Sequence, residues 1–417
     1  MVSLAHLPPA EPVREPGFPG EITLQLSAPL AAVGVVLDAG TPAARALPVD
    51  RFAVPVGHGS GSFWLTLPIG PTPSGTHRVT ITATDSAGRT GQASASFDVL
   101  MSTLSYALRL LPTVGDSLRI HAMNDSGDVV GAVRASPTDP WRPVLWHDGA
   151  IVPLSLPPAL AGDAVAINDV GEIAGNTSPR PDVGDPVAAR WSRFDATPVV
   201  DPGSATGAGC GYCAVAGINE RGTVLVAGGA SGEPGLWRRD GSFAWIGQLF
   251  DTGAFIDAND VVYGHHLQPE YIDDGVRWTP ERQPIPCPLP QAYSVLGQGI
   301  ICRPYAGNAA GDVLAHVAAE PRPMIRLASD GQWYDLAGRL AGSVVPAVAP
   351  DGEVVALHGD TRTVLLWKEQ AVRVVALPAS EWTVRQVVAI NAGKQILAVV
   401  QSARSGAVRP ALLVPNG

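Results

Sequence analysis

The sequence predicts an all-β protein, a β-sandwich followed by a seven-bladed β-propeller. Three observations carry that expectation. First, one phrase recurs seven times: an apolar run, Asn-Asp-x-Gly or a relative, then Val-Val-Gly or a relative. It reads AMNDSGDVVG at 122–131, AINDVGEIAG at 166–175 and GINERGTVLV at 217–226, with looser copies at 255–264, 307–316, 347–356 and 389–398. Second, the copies keep a period. Anchored on Asn124, Asn168, Asn219, Asp257, Asn308, Ala349 and Asn391, they lie 44, 51, 38, 51, 41 and 42 residues apart, the size of one four-stranded blade. Third, short apolar bursts are broken by turn residues. The chain holds 46 Gly, 39 Pro and only 16% charged residues, and it lacks the three- and four-residue apolar spacing of helical solenoids.

Each copy reads as four strands. In the second copy they fall at 164–167, 172–175, 187–192 and near 197–200, with the NDVG turn between the first two. Asn and Asp tolerate left-handed backbone and bond their own chain, and Gly takes positive φ without steric cost. A tryptophan follows most anchors: Trp146, Trp191, Trp237, Trp278 and Trp367, with Leu327 and Leu412 standing in for the two copies that lack one. These side chains are expected to fill the wedge between neighbouring blades. The seventh copy stops at ALLVPNG, after its third strand. The segment SYALRLLP at 105–112 resembles the fourth strands of other copies, such as VRVVALPA at 372–379. Residues 105–111 are therefore expected to pair with the C-terminal blade and close the ring, which removes exposed sheet edges.

Ahead of the ring, residues 1–19 are Pro-rich and read as a loose lead-in. Residues 20–100 alternate as strands with no copy of the repeat. Their apolar runs at 21–29, 31–38, 51–57, 62–69, 76–88 and 91–100 predict the β-sandwich. The expected domains are thus 1–19, 20–100 and 101–417.

Two resemblances add to this reading. The stretch THRVTITATDSAGRTGQASASFDV, with its Thr-Ala-x-Asp-x-x-Gly hairpin ending at Gly88, resembles the last two strands of bacterial immunoglobulin-like domains. The cysteine–tryptophan–cysteine core of antibody domains is absent, since no cysteine precedes Cys210, and Trp64 reads as packing. Residues 120–415 resemble a bacterial family of probable extracellular repeats named for a His-Ala-Phe triplet. The match lies in the Ile-Asn-x-x-Gly-x-Val-x-Gly core and the later Leu-Trp; the triplet itself is missing. The resemblance implies an extracytoplasmic, propeller-like scaffold and no particular activity.

Net charge is −10, from 38 acidic and 28 basic residues. That sign disfavours a nucleic-acid partner. The apolar run at 22–37 is broken by Pro29 and Gly34 and reads as two strands, so no membrane span is expected. The N-terminus MVSLAHLPPAEPVREPG lacks the basic and apolar regions of a secretory signal. An extracellular or particle-surface location is expected, by trimming or by another export route, with retention inside the cell as the remaining alternative. Of the four cysteines, Cys210 with Cys213 and Cys287 with Cys302 are candidate local disulfides. A zinc site needs two tightly spaced pairs, and only Cys210 and Cys213 form one, so no metal or cofactor is expected.

In this strand order the second-to-third and fourth-to-first connections share one face, and the Asn-Asp-x-Gly turns lie on the other. The first group is long and variable, at 132–142, 176–187, 201–212, 265–274 and 287–301, so binding is expected there. Its densest polar stretch is GHHLQPEYIDD, read as a loop, with His265, His266, Glu270, Tyr271, Asp273 and Asp274 as candidate ligand-binding residues. Asn124, Asp125 and Asp128 come closest to a calcium loop, but carry too few carboxylates for strong binding. No Gly-x-Ser-x-Gly elbow lies between a strand and a helix. The expected function is recognition, adhesion or scaffolding toward a surface glycan or protein, with the N-terminal module as spacer or attachment to a larger particle. The alternative is a propeller glycoside hydrolase or polysaccharide lyase, which needs convergent acids such as Glu270, Asp273 and Asp274 beside His266.

Overall fold

The computed structural model describes the chain except residues 1, 7–16, 25–27, 42–43, 48–60, 69–74, 100–101, 116, 158–159, 179–185, 193–198, 201–213, 228–232, 248–250, 268–272, 280, 286–301, 318–321, 337–339, 341, 369–370, 379 and 417. Among the described residues all helical and sheet structure is β. The chain divides into two compact units. One comprises Met1–Leu104, Leu336–Val344 and His358–Ala376, the other Ser105–Asp335, Val345–Leu357 and Leu377–Gly417.

The first unit holds two small antiparallel sheets. Arg45–Leu47, Leu30–Leu37, Gly75–Asp85 and Thr90–Val99 form one, in that order. Val79, Ile81 and Ala83 alternate into its buried face, as a half-buried strand requires. The hairpin after Asp85 is held by that carboxylate, which accepts from the amides of Ala87 and Arg89. Val2–His6, Gly17–Leu24 and Gly61–Pro68 form the other sheet. The start of the chain is therefore a strand, where its composition reads as lead-in. The prolines that set that composition begin at Pro8, after the strand ends. The expected strand at 51–57 and the side chain of Trp64 lie outside the described residues. Val364–Lys368 and Ala371–Ala376 add a hairpin to this unit.

In the second unit the copies fold as antiparallel meanders. Ser117–Met123, Val129–Arg134, Arg142–His147 and Ala150–Pro153 pair in sequence order. The same order recurs over 161–200, 215–245, 251–284 and 302–335. Consecutive sheets pack face to face. Trp191 shares a core with Val130 and Leu145 of the preceding copy, Trp237 with Ala174 and Ala188, and Trp278 with Leu225 and Leu236. Trp146 meets Leu397 of the last copy. All are at most 2% exposed, and burying such a side chain contributes roughly 1.5–3 kcal/mol. In the copies without Trp, the register puts Arg326 and Leu413 at that position, one residue away from the expected Leu327 and Leu412. Spacing from the anchor varies too much to fix a strand position to one residue, and one residue changes the face.

From the seventh copy round to the fifth, the first strands contact one another in succession: Trp382–Ile390, Ser117–Met123, Ala161–Ile167, Val215–Ile218, Asp251–Ile256 and Cys302–Gly307, the inner strands of the unit. Most carry a bulge three residues before the anchor, at His121, Val165, Ala216, Ala254, Tyr305 and Val388. Opposite it, a side chain at Gly131, Gly175 or Gly264 would meet the carbonyl of Arg119, Asp163 or Thr252. The glycine of the Val-Val-Gly phrase thus marks close backbone approach inside a strand.

The anchor turns all share one geometry. The fourth residue donates its amide to the anchor carbonyl, and the anchor amide donates to the carbonyl of the residue after it. That fourth residue has φ between 61° and 88° in every copy: Gly127, Gly171, Gly222, Asp260, Gly311, Gly352 and Lys394. This is a type I turn closed by a left-handed residue. The left-handed position therefore belongs to the last residue of the phrase, and the anchor Asn does something else. Its Oδ1 accepts from its own turn, as from the Glu172 amide at 2.8 Å for Asn168. Its Nδ2 reaches the next copy. Asn124 donates to the carbonyl of Asn168 at 3.2 Å, Asn168 to Asn219 at 3.0 Å, Asn219 to Asp257 at 2.9 Å and Asn308 to Ala349 at 2.7 Å. Asn391 donates to Asn124 at 3.2 Å, 267 residues away.

Two steps of this circuit differ. Asp257 has no amide to donate, and there the backbone of Ala258 bonds the carbonyl of Ala309 at 3.1 Å. Ala349 has no polar side chain, and there Lys394 pairs with Asp351 and with Glu353. The termini of the ring meet as expected from the sequence. Leu110 pairs with Ala411, Leu108 with Leu413 and Tyr106 with Pro415. Asn416 then donates its amide to the Ser105 carbonyl at 2.9 Å. Four-stranded meanders arranged around shared inner strands make this a β-propeller.

Candidate functional site

At the anchor-turn end, the polar groups are spent on the ring. A second ladder runs beside the first. The amide of Ala392 donates to Asp125 Oδ1 at 2.7 Å, that of Asp125 to Asp169 Oδ1 at 2.7 Å, and that of Asp169 to Glu220 Oε2 at 3.1 Å. Burial, and after it neighbouring carboxylate charge, raises the Asp169 and Glu220 carboxyls above their ordinary range. Glu172 bonds Asn168 Nδ2 at 2.9 Å and Arg239 at 2.6 Å. Asp128 takes His147 Nδ1 at 2.7 Å, and this bond raises the imidazole. Asn124, Asp125 and Asp128, the nearest approach to a calcium loop, are thus staples. Among the described residues no group of three or more His, Cys, Asp or Glu side chains is arranged to hold a metal.

At the long-connection end, the stretch read as one loop is largely strand. His265 and His266 lie in Val262–Leu267, and Asp273 and Asp274 begin Asp273–Thr279, with His266 opposite Asp274. Gly264 was the misleading residue: it reads as a strand end but is the close-approach glycine. His266 Nδ1 lies 2.6 Å from Asp251 Oδ1, and that carboxylate is fully buried. The pair braces the start of an inner strand. Glu270 and Tyr271, the side chains of Asp273 and Asp274, and the side chains of Cys210, Cys213, Cys287 and Cys302 lie outside the described residues.

A different cluster occupies this end at the seam of the first two copies. Arg119 sits five residues before Asn124, and Asp163 five before Asn168. Arg119 Nη1 reaches Asp163 Oδ2 at 3.4 Å, and His121 Nε2 reaches the same oxygen at 2.9 Å. The Arg119 guanidinium lies 4.0 Å from the Trp141 ring centroid, and that of Arg134 lies 4.6 Å away. Arg134 also donates to the Pro137 carbonyl at 3.0 Å, which ties down the connection after its strand. In the fifth copy, Arg303 is the second residue of its inner strand, Cys302–Gly307. The Tyr305 ring stacks on His316 at 4.3 Å and its hydroxyl donates to the Val345 carbonyl at 2.8 Å. Burial, with the Arg303 charge behind it, lowers the His316 imidazole. Sequence reading missed this cluster because it searched the connections. The usable signal was the position five before each anchor.

No protein-family model matches the chain, and no curated protein matches it. Solved structures do. One described as YCF48 bound to D1 peptide is 12% identical, with a TM-score of 0.49, covering 76% of this chain and all of that one. A chain of the Mitotic Checkpoint Complex is 11% identical, with a TM-score of 0.44, covering 76% of this chain and 94% of that one. The β-propeller domain of the Trilobed protease from Pyrococcus furiosus is 10% identical, with a TM-score of 0.32, covering 69% of this chain and 99% of that one.

Proposed function

We propose that this chain is a recognition or scaffold protein that acts outside the cell or on a particle surface. In this reading a seven-bladed propeller over 101–417 presents a binding face, and an immunoglobulin-like module over 20–100 serves as spacer or attachment. The seven anchor turns, the circuit from Asn391 to Asn124 and the pairing of 105–110 with the C-terminus support the blade count. The observation that carries the function is the asymmetry between the two ends. One end uses its amides and carboxylates to hold neighbouring copies together. The other keeps half-exposed arginine and histidine on rigid inner strands, where a partner protein or glycan can reach them.

A photo-crosslinker placed in turn at Thr138, on the long-connection face, and at Val170, on an anchor turn, tests this. Incubated with host-surface extract, the protein should crosslink a macromolecule from Thr138 and not from Val170. Equal yields from both positions, or none from Thr138, would count against it.

A further inference from the structure

Two seams between copies are closed at the anchor-turn end by an ion pair. In each, the residue four after the anchor is a glutamate that meets a base of the next copy. Glu172 receives Arg239 of the third copy at 2.6 Å, and Glu353 receives Lys394 of the seventh at 3.1 Å. Arg239 stands two residues after Trp237 and lies over Gly222, where a side chain would meet its Nε at 2.8 Å. The seam between the seventh copy and the first departs from this. The residue four after Asn391 is the neutral Gln395, and the residue two after Trp146 is Asp148. Gln395 Oε1 still takes Asn391 Nδ2 at 3.0 Å, as Glu172 takes Asn168. The atoms nearest a side chain at Gly127, the equivalent of Gly222, all belong to Gln395. The space that a guanidinium fills in the other seam is open here. A cavity of about 420 Å³, mouth included, lies among Arg109, Ser126, Asp128, Trp146, Asp148 and Gln395. Small-molecule sites run from roughly 300 to 1,000 Å³.

The charges around this cavity are of both signs. Arg109 belongs to the strand that closes the ring and lies opposite Leu412; the same place holds Val152 in the first copy and Ala244 in the third. It is exposed and makes no hydrogen bond or ion pair among the described residues. Its Nη2 lies 3.2 Å from where a side chain at Gly149 would start. Asp148, the neighbour of Gly149, is 91% exposed, and its ion pair with His147 Nε2 is long, at 3.5 Å. His147 is itself held by Asp128 at 2.7 Å. The cavity thus presents a guanidinium from the last copy and a carboxylate from the first that do not pair with each other. Gln395 Nε2 and the Ser126 hydroxyl, which bond nothing among the described residues, add an amide donor and a hydroxyl. Asp128 and Asp148 repel a simple anion, and Arg109 repels a simple cation. Trp146 is 1% exposed, so it offers no face on which a sugar ring stacks. A small molecule that carries both charges satisfies all of these groups.

We propose that the seam between the last and first copies binds a free α-amino acid, its carboxylate on Arg109 and Gln395 Nε2 and its ammonium on Asp148 and Asp128. The site lies at the opposite end from the recognition face and stands whether or not that reading holds.

The test is a calorimetric titration of the full chain with L-alanine, N-acetyl-L-alanine and L-alaninamide, which carry both charges, the carboxylate alone and the ammonium alone. L-Alanine should bind saturably and raise the melting temperature, because it bridges the first and last copies. The other two should each bind at least about tenfold more weakly. Arg109→Gln and Asp148→Asn should each weaken L-alanine about tenfold and leave the ligand-free melting temperature unchanged. Gln395→Glu combined with Asp148→Arg copies the Glu172–Arg239 pair into this seam. It should abolish binding without lowering the melting temperature. Arg89→Ala, an exposed arginine of the first unit, should have no effect. Absence of saturable L-alanine binding overturns the proposal, as does equal binding of the three probes. Wild-type affinity in folded Arg109→Gln and Asp148→Asn overturns it too, and so does tighter binding of glucose than of L-alanine.

Discussion

The two ends of the propeller unit are built from the same seven phrases, yet they spend their polar groups differently. At the anchor-turn end, Asn168 bonds its own turn and the next copy, and Asp125, Asp169 and Glu220 cap their neighbours' amides. At the long-connection end, Arg119 and His121 share one oxygen of Asp163 and remain open to solvent. The difference teaches that polar density is a poor guide to a binding face. The acid-rich turns are mortar, and the sparser Arg119 and His121 keep a solvent-facing side.

The strongest way to break this contrast is at a staple. Asn168→Asp keeps the acceptor but removes the donor and sets a buried charge beside Glu172 and the Asn219 carbonyl. It should cost about 3–5 kcal/mol in a denaturant melt. Asn168→Ala, which only leaves the neighbouring groups unpaired, should cost about 2–3 kcal/mol. Equal losses for the two would mean that the added carboxylate costs nothing beyond the lost bonds, and a loss near zero for Asn168→Ala would mean that the donor bond to the next copy matters little.

The irregular steps sharpen the contrast in the other direction. Ala349→Asn restores an anchor carboxamide where Lys394 now bridges to Asp351 and Glu353. It should stabilise the chain by about 1 kcal/mol, and should also reduce the salt dependence of the melting temperature. A loss of stability would show that this step is shaped for the ion pair.

The smallest effect is a pH dependence. The bond to Asp128 raises the His147 imidazole, so its contribution is fully present below the ordinary histidine value and is lost as pH rises through the raised one. His147→Gln should therefore melt slightly below the wild type at pH 6, and the gap should close by about pH 9. A gap that widens with pH would contradict the assignment.

Much of this fold was legible because each phrase encodes its own turn. Gly127 and its equivalents supply the left-handed residue, and Trp191 and its equivalents supply the wedge. The closing strand was legible because the seventh copy lacks one. What stayed hidden is what joins one copy to another. The partner of Asn124 Nδ2 is 44 residues away, so the repeat period is itself the span of a hydrogen bond that no local pattern displays. Gly264 misled for a similar reason, since its neighbour is the Thr252 carbonyl across the sheet. Arg119 and Asp163 are ordinary residues in sequence, and only the bulged inner strands bring them together at the opening.

The most direct test is the exchange rate of one amide. Ala392 lies in an exposed turn, and in an isolated hairpin nothing would protect it. In the closed ring it donates to Asp125 Oδ1, 267 residues earlier. Hydrogen exchange resolved to single residues should find it slowed at least about tenfold, in step with Asp125 and Asp169. Free exchange at Ala392, with Asp125 and Asp169 still protected, would mean that the first and last copies do not meet and that the ring of staples is open.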